Sequence, residues 1–358
     1  MEDVFPASLQ IQEIVEYGAD RQRGNLLGIQ PFMVPMDYAS EERFYAKLEA
    51  LLDVAGRRGW VGERTVVVFP EYVGTWLVAA GEVPRVYRAE SVDRAMRALV
   101  LRHLVSFVGA LPSAFGRAKD VVKYSLFRMQ AARMAGIYHR VFSGLARKYG
   151  ATIVAGSIVL PSPEVRDGAL MVGRMSSIRG GVLYNVSVVY RPDGSAYEDV
   201  VRKVFPIDVE QPFIARGAAA DVPVFDTPAG RLGVLICADA WYPATYGVMR
   251  AKGAEFVAVP SYLSPDGVWG APWRGYDGAP APDDVDAHDV GAIAEGDAWL
   301  KYALAGRLPR AGIDHGINVF LRGDLWDLGS DGHTVLVRDR TVVEARHVAG
   351  AAIVNSWL

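Results

Sequence analysis

The chain contains a single cysteine, Cys237, in the stretch Gly233-Val-Leu-Ile-Cys237-Ala-Asp-Ala-Trp-Tyr-Pro243. The apolar run 232–236 reads as a buried strand that delivers the thiol to a turn. Pro243 then suits the first position of a helix, where its missing N–H would have had no partner anyway. A strand, a sharp turn with sulfur and a helix present a nucleophile with backbone N–H groups around it. A buried structural cysteine is the plainer reading of any lone thiol, so other residues must decide. Upstream, the β-branched run 65–69 ends in Pro70-Glu71-Tyr72. A carboxylate just past a buried strand has its pKa raised by burial and becomes a usable base. Between the two lies Val201-Arg-Lys203-Val-Phe-Pro206-Ile-Asp-Val-Glu210, a lysine near the end of another apolar strand. Taken singly, Glu71 reads as a surface or capping residue and Lys203 as a solvated one.

The elements around these residues alternate between strand and helix. Residues 25–30 read as a short strand. Ser40 caps a helix with Glu41 and Glu42 in its first turn and Phe44, Leu48, Leu51, Leu52 and Ala55 on its apolar face. Residues 74–150 turn helical. A Ser91-capped helix carries Val92, Met96, Leu99, Val100, Leu104, Phe107 and Val108 on one face, widened by Leu101 and Val105, up to Pro112. A second helix spans about 126–148. The first of these is predicted either to pack in the core or to form an interface or lid over the site. Strands resume at 152–159. Hairpins follow at 182–190 with 196–204 and at 222–225 with 232–236. Residues 264–290 are rich in Gly, Pro and Asp and read as a functional or mobile rim rather than core. A helix is expected at 292–305 and short strands at 317–321, 334–337, 341–345 and 351–354. Residues 1–24 show no clear pattern and read as an extension.

Composition excludes several classes. The 358 residues are 51% hydrophobic and 22% charged, with net charge −3, which describes a soluble globular protein and gives no reason to expect nucleic acid or an anionic membrane as partner. One cysteine rules out an internal disulfide framework and fits a reducing compartment. The N-terminus lacks a signal-peptide pattern, and no apolar run reaches the ~18 residues of a membrane span. The cytoplasm is the expected location. The six histidines are scattered, so neither a Cys-His hydrolase nor a metal site is indicated, and no Gly-rich phosphate loop is present.

The three weak signals gain weight from their order. Phe69-Pro70-Glu71-Tyr72, Arg202-Lys203 with Phe205-Pro206, and Leu235-Ile236-Cys237-Ala-Asp239 each close a strand, and together they resemble the Glu, Lys, Cys signatures of the nitrilase superfamily, the carbon–nitrogen hydrolases. Leu183-Tyr184-Asn185, Glu210 in the place of a second glutamate, and Gly253-Ala254 through Pro260-Ser261 extend the resemblance. It covers residues 25–358 as one hydrolase domain, apart from a helical insertion at about 85–130 and the 264–290 loop. The resemblance implies an α/β fold, a four-layer αββα sandwich, and a homodimer or larger assembly. No cofactor and no metal are expected.

The chemistry follows from the residue types. A thiol with pKa ~8.5 is mostly protonated at neutral pH and needs help. Glu71 can take its proton. Lys203 can favour the thiolate and then the oxyanion, with the backbone N–H of Ala238 as second donor. Attack on an amide carbonyl gives a thioester, which water activated by Glu71 then cleaves. Glu210 could hold Lys203 or orient the substrate. Tyr72, Trp76, Asp239, Trp241 and Tyr242 are candidates for lining the substrate pocket. True nitrilases usually carry Cys-Trp-Glu, whereas this chain has Cys237-Ala238-Asp239, which favours an amide, carbamoyl compound or N-acyl amine as the small-molecule substrate over a nitrile. Transfer of the acyl group to an amine is the second enzymatic reading. A catalytically silent binding member is the non-enzymatic one, and the intact Glu71, Lys203 and Cys237 argue against it.

Overall fold

The computed structural model describes residues 9–172 and 181–358. Residues 1–8 of the expected extension, and Gly180, which with Gly181 reads from the sequence as a turn, lie outside them. In chain order the strands that frame the site are β1 (Ile11–Tyr17), β2 (Asn25–Gln30), β3 (Thr65–Val68), β4 (Thr152–Val154), β5 (Ile158–Pro161), β6 (Leu183–Ser187), β7 (Val189–Tyr190) and β8 (Val201–Arg202). They continue as β9 (Val224–Thr227), β10 (Gly230–Val234), β11 (Phe256–Ser261), β12 (His315–Phe320), β13 (Val335–Arg338), β14 (Thr341–Glu344) and β15 (Ala351–Trp357). The main helices are α1 (Glu41–Gly56), α2 (Val92–Arg102), α3 (Leu104–Ala110), α4 (Val121–Tyr149), α5 (Pro243–Ala251), α6 (Glu295–Tyr302) and α7 (Leu304–Ala311).

Two six-stranded sheets result, in the orders β1-β15-β2-β3-β4-β7 and β9-β10-β11-β12-β13-β14. Their centres are parallel, β2-β3-β4 in the first and β10-β11-β12 in the second. Parallel central strands are apolar on both faces because both faces are covered, and here the two faces have different partners. Val66, Val68 and Val154 of the first sheet pack against Val234, Ala258 and Ile317 of the second, forming the middle of the molecule. Val67 and Phe69 turn the other way, onto Phe44 and Leu48 of α1 and Phe142 of α4. Val257 and Val259 meet Met249 of α5 and Leu308 of α7 on the far side. Period-two alternation in adjacent strands thus yields helix, sheet, sheet, helix, the αββα sandwich the resemblance implies. Each fully buried valine or leucine in these layers contributes roughly 1.5–3 kcal/mol.

Several local expectations differ, among them the strand expected at 152–159, which divides into β4 and β5 of different sheets, and the helix expected at 292–305, which breaks at Ala303 into α6 and α7. Ile11–Tyr17, read as patternless, is an edge strand paired in parallel with β15; only Glu13 of its seven residues is buried and polar residues interrupt Ile11, Ile14 and Val15, so it lacks an apolar run. The 182–190 strand is divided: β6 joins a three-stranded sheet, β8-β6-β5, while β7 crosses to the first large sheet. The single helix expected from Ser91 breaks at His103 into α2 and α3, bent by 96°. Glu82, whose side chain has no exposure, draws His103 Nε2 to 2.7 Å and Arg102 Nε to 3.3 Å, so the chain turns there. Leu101, Leu104, Val105 and Val108 are exposed, which removes the core-packing reading for these four and leaves the interface or lid reading. Lastly, the 264–290 loop does supply core: Trp269 and Tyr276 pack against the central cluster and Trp273 is 1% exposed within it. Three large aromatics carry apolar area that a count of apolar residues understates. Among the described residues no single helix is long and apolar enough to cross a membrane.

Candidate active site

Three different sheets each end at one chemical group. β3 runs into Phe69-Pro70-Glu71, held by the Phe69 N–H donating to the Val154 carbonyl at 3.0 Å. β8 runs into Lys203, whose N–H donates to the Asn185 carbonyl at 2.9 Å. β10 leads through Leu235 and Ile236 to Cys237, where a short 3-10 turn, Cys237–Trp241, begins. Cys237 takes φ 48° and Tyr72 takes φ 61°, both in the left-handed region. Such a conformation costs a non-glycine residue of the order of 1–3 kcal/mol, and it persists where the surroundings demand a particular side-chain direction. Ala238 is the second residue of the turn, and so its N–H has no carbonyl within the turn to bond.

The side chains converge. Lys203 Nζ lies 2.8 Å from Glu71 Oε1 and 2.7 Å from Glu210 Oε2, and all three residues are nearly fully buried. Asn185 Nδ2 donates to Glu71 Oε1 at 2.9 Å and to Glu210 Oε1 at 3.1 Å. The Tyr72 hydroxyl donates to Glu210 Oε1. Glu210 Oε2 also accepts the Ile207 N–H at 2.9 Å. The Cys237 thiol faces Glu71 and donates to the Tyr262 carbonyl at 3.6 Å. One buried cation is therefore shared by two carboxylates, which are in turn fixed by donors that compete for the same oxygens. This geometry meets the condition for burying charge, that it be paired and hydrogen-bonded.

The protonation states follow. Burial raises the Glu71 carboxyl above its ordinary range; Lys203 offsets part of this and Glu210 adds to it. Burial also drives the Cys237 thiol well above its usual value, with Glu71 pushing the same way and Lys203 opposing. Burial works against a charged Lys203, but Glu210 and Glu71 outweigh it and hold the ammonium well above its ordinary value. The resting site thus carries a neutral thiol beside a strengthened base and a permanent cation. A base brought closer to the thiol in proton affinity can remove its proton when an electrophile arrives.

A cavity of about 620 Å³ opens onto these groups, lined by Glu71, Lys203, Glu210, Cys237 and Ala238 at its floor. Tyr72, Trp76, Trp241 and Tyr242, expected to line it, do so. Asp239 does not. It is 1% exposed, and its oxygens accept the N–H groups of Val204, Phe205 and Ile236 at 2.9, 2.8 and 3.3 Å. It ties the turn after Cys237 to the segment after Lys203, and burial, opposed by the backbone donors, pushes its carboxyl up to about 7. The sequence reading overlooked the side chain of Asn185, although its segment was recognised, and the hydroxyl of Tyr72 as the donor to Glu210. The insertion, read as core, interface or lid, places Val92, Asp93 and Met96 of α2 in the wall.

A sequence model of the carbon–nitrogen hydrolase family matches residues 27–276. The chain belongs to that family, within the nitrilase superfamily. This carbon–nitrogen hydrolase is 32% identical to Nitrilase 2 of Arabidopsis thaliana over 123 residues, which is 32% of this chain and 35% of the relative. It is 29% identical to the deaminated glutathione amidase of Yersinia enterocolitica over 117 residues, 33% of this chain and 38% of that one. The matched stretches span about a third of the length of these relatives. The fold is shared across nearly the whole chain. An amidase from Nesterenkonia sp. superposes with a TM-score of 0.54 at 15% identity, covering 93% of this hydrolase and 90% of the amidase. Saccharomyces cerevisiae Nit3, of the nitrilase superfamily, gives 0.52 at 18% identity over 93% and 88%.

Proposed function

We propose that this hydrolase cleaves a non-peptide carbon–nitrogen bond of the amide, carbamoyl or N-acyl amine type through a thioester on Cys237. The observation that carries the reading is the meeting of Cys237, Glu71 and Lys203 from three sheets at the floor of one cavity. Glu71 takes the thiol proton as sulfur bonds to the carbonyl carbon. The oxyanion is held by the Lys203 ammonium and the Ala238 N–H, each such donor worth about 3–4 kcal/mol of barrier. Glu71 returns the proton to the departing nitrogen, and the carbon–nitrogen bond breaks to leave ammonia or an amine and the thioester. Glu71 then takes a proton from water, whose oxygen attacks the thioester; the acid leaves and the thiol is restored. Glu210, Asn185 and the Tyr72 hydroxyl hold Lys203 and Glu71 in register.

The preference for an amide-type substrate over a nitrile rests on Cys237-Ala238-Asp239 standing where true nitrilases usually carry Cys-Trp-Glu, with Asp239 committed to backbone donors. Intact-protein mass spectrometry after incubation with amides, carbamoyl compounds, N-acyl amines and nitriles tests the reading, with ammonia release measured in parallel. Wild type is expected to show an acyl adduct that Cys237→Ala lacks. Undiminished turnover by Cys237→Ala would remove the thioester from the scheme, and an adduct from nitriles alone would replace the substrate class.

A further inference from the structure

Beyond the reacting groups, the cavity has a second polar centre. Glu295 lines it from the first turn of α6, one helical turn before Trp299, so both side chains lie on the same face. Trp299 packs edge-on to Trp241, at 4.9 Å between centroids, and Trp241 also meets Trp273 at 5.9 Å and Tyr276 at 5.5 Å. All four rings line the cavity. Trp241 belongs to the same short turn as Cys237, which ties this aromatic wall to the nucleophile.

Two observations say that this end is unfilled by the protein itself. Glu295 forms no ion pair among the described residues. Arg274, the cation whose charge it feels, is an exposed side chain. The Trp299 indole N–H, on a residue 5% exposed, faces the Glu295 carboxylate but reaches hydrogen-bonding geometry with neither it nor any other acceptor. The charge around the cavity is also one-sided. Apart from Glu71, Lys203 and Glu210, its lining carries Asp93, Asp277, Glu295 and Asp327 against Lys123 alone, and Lys123 is already paired with Asp120 at 3.4 Å. Aromatic faces and a carboxylate in a low-dielectric wall are the chemistry that recognises an ammonium group.

We propose that Glu295, with the wall of Trp241, Trp273, Tyr276 and Trp299, is a recognition subsite for a cationic amino group at the far end of the substrate. The scissile bond then belongs to an amide or carbamoyl compound bearing a distal ammonium. The inference rests on the amide-hydrolase reading for its scissile bond, though not for the subsite itself. A neutral apolar substrate would leave the carboxylate dehydrated and unpaired, which is the costly arrangement. Burial, opposed by Trp299 and Arg274, raises the Glu295 carboxyl to about 7, and an ammonium beside it favours the carboxylate.

The test compares ω-amino amides of several chain lengths with their methyl-terminated counterparts. In wild type, kcat/KM for the best amino amide should exceed that of its neutral partner by about tenfold or more, and Glu295→Gln should collapse that ratio through KM. A ratio unchanged in Glu295→Gln, or equal losses on both substrates, overturns the subsite. Binding to Cys237→Ala, measured by calorimetry with the same compounds, separates the two readings. Tighter binding of the amino amide that is lost in the Cys237→Ala, Glu295→Gln double variant supports the subsite even if wild type turns neither compound over, in which case only hydrolysis is refuted. Equal binding of both compounds, with turnover present, overturns the subsite and leaves hydrolysis standing.

Discussion

Lys203 is held between two carboxylates, 2.8 and 2.7 Å away, with all three side chains nearly fully buried. Removing it leaves Glu71 and Glu210 as uncompensated like charges, and one of them must take up a proton. Lys203→Ala is therefore expected to lose turnover by at least two orders of magnitude while the fold persists; the check is steady-state kinetics alongside circular dichroism. Near-normal turnover would remove the oxyanion role. The base has its own signature. Glu71 must be ionised to take the thiol proton, and burial lifts its pKa above the ordinary carboxylate range, so the acid limb of kcat/KM belongs above about pH 4.5. Activity should fall as pH drops through that limb, and an acid limb at or below the ordinary carboxylate value would contradict the assignment. At this scale Glu71, Lys203 and Cys237 were legible because each closes an apolar strand. Glu295 was not: a glutamate in the first turn of a helix reads as a favourable charge on the helix dipole, and only the cavity distinguishes it from one.

The helical insertion shows how an element can be recognised and still be drawn wrongly. Its apolar spacing fits one long helix through 108, yet the chain turns by 96° at His103 because Glu82 sits beneath with Arg102, His103 and Arg133 around it. Periodicity reports which residues share a face, and nothing local in 91–108 announces an acid supplied by the segment before it. If Glu82 holds the bend, Glu82→Gln should destabilise the protein by about 1–3 kcal/mol, less than a wholly buried pair because its partners are partly exposed. Thermal melts and limited proteolysis around 100–112 measure this; an unchanged melt with no new cleavage would dissociate the acid from the bend. The bend also has a consequence for the cavity, since it sets α2 with Asp93 and Met96 against the opening. Weakening it should raise KM before it lowers kcat.

In the whole molecule the two ends of the chain are stitched together: β1 pairs in parallel with β15, which pairs antiparallel with β2. The αββα layering was legible only through the resemblance to the nitrilase superfamily, and the place of β1 not at all, since an edge strand with one wet face has no run to detect. Deleting residues 1–17 uncovers the outer edge of β15 and its unpaired backbone groups. The truncated chain should melt at lower temperature and aggregate more readily, as light scattering during a thermal ramp would record; equal melting and scattering would make the first strand dispensable.

Cys237 is the chain's only sulfhydryl, 7% exposed, and it lies where strands from separate sheets face each other. A maleimide reaches it through the cavity that Cys237 lines, so its labelling rate is a stopwatch on access to that cavity, read from a single atom without any engineered probe. Substrate-sized amides that occupy the cavity should slow the stopwatch in proportion to their occupancy, giving binding constants even for compounds that are never turned over. A labelling rate indifferent to every such compound would mean that the thiol is reached by another route.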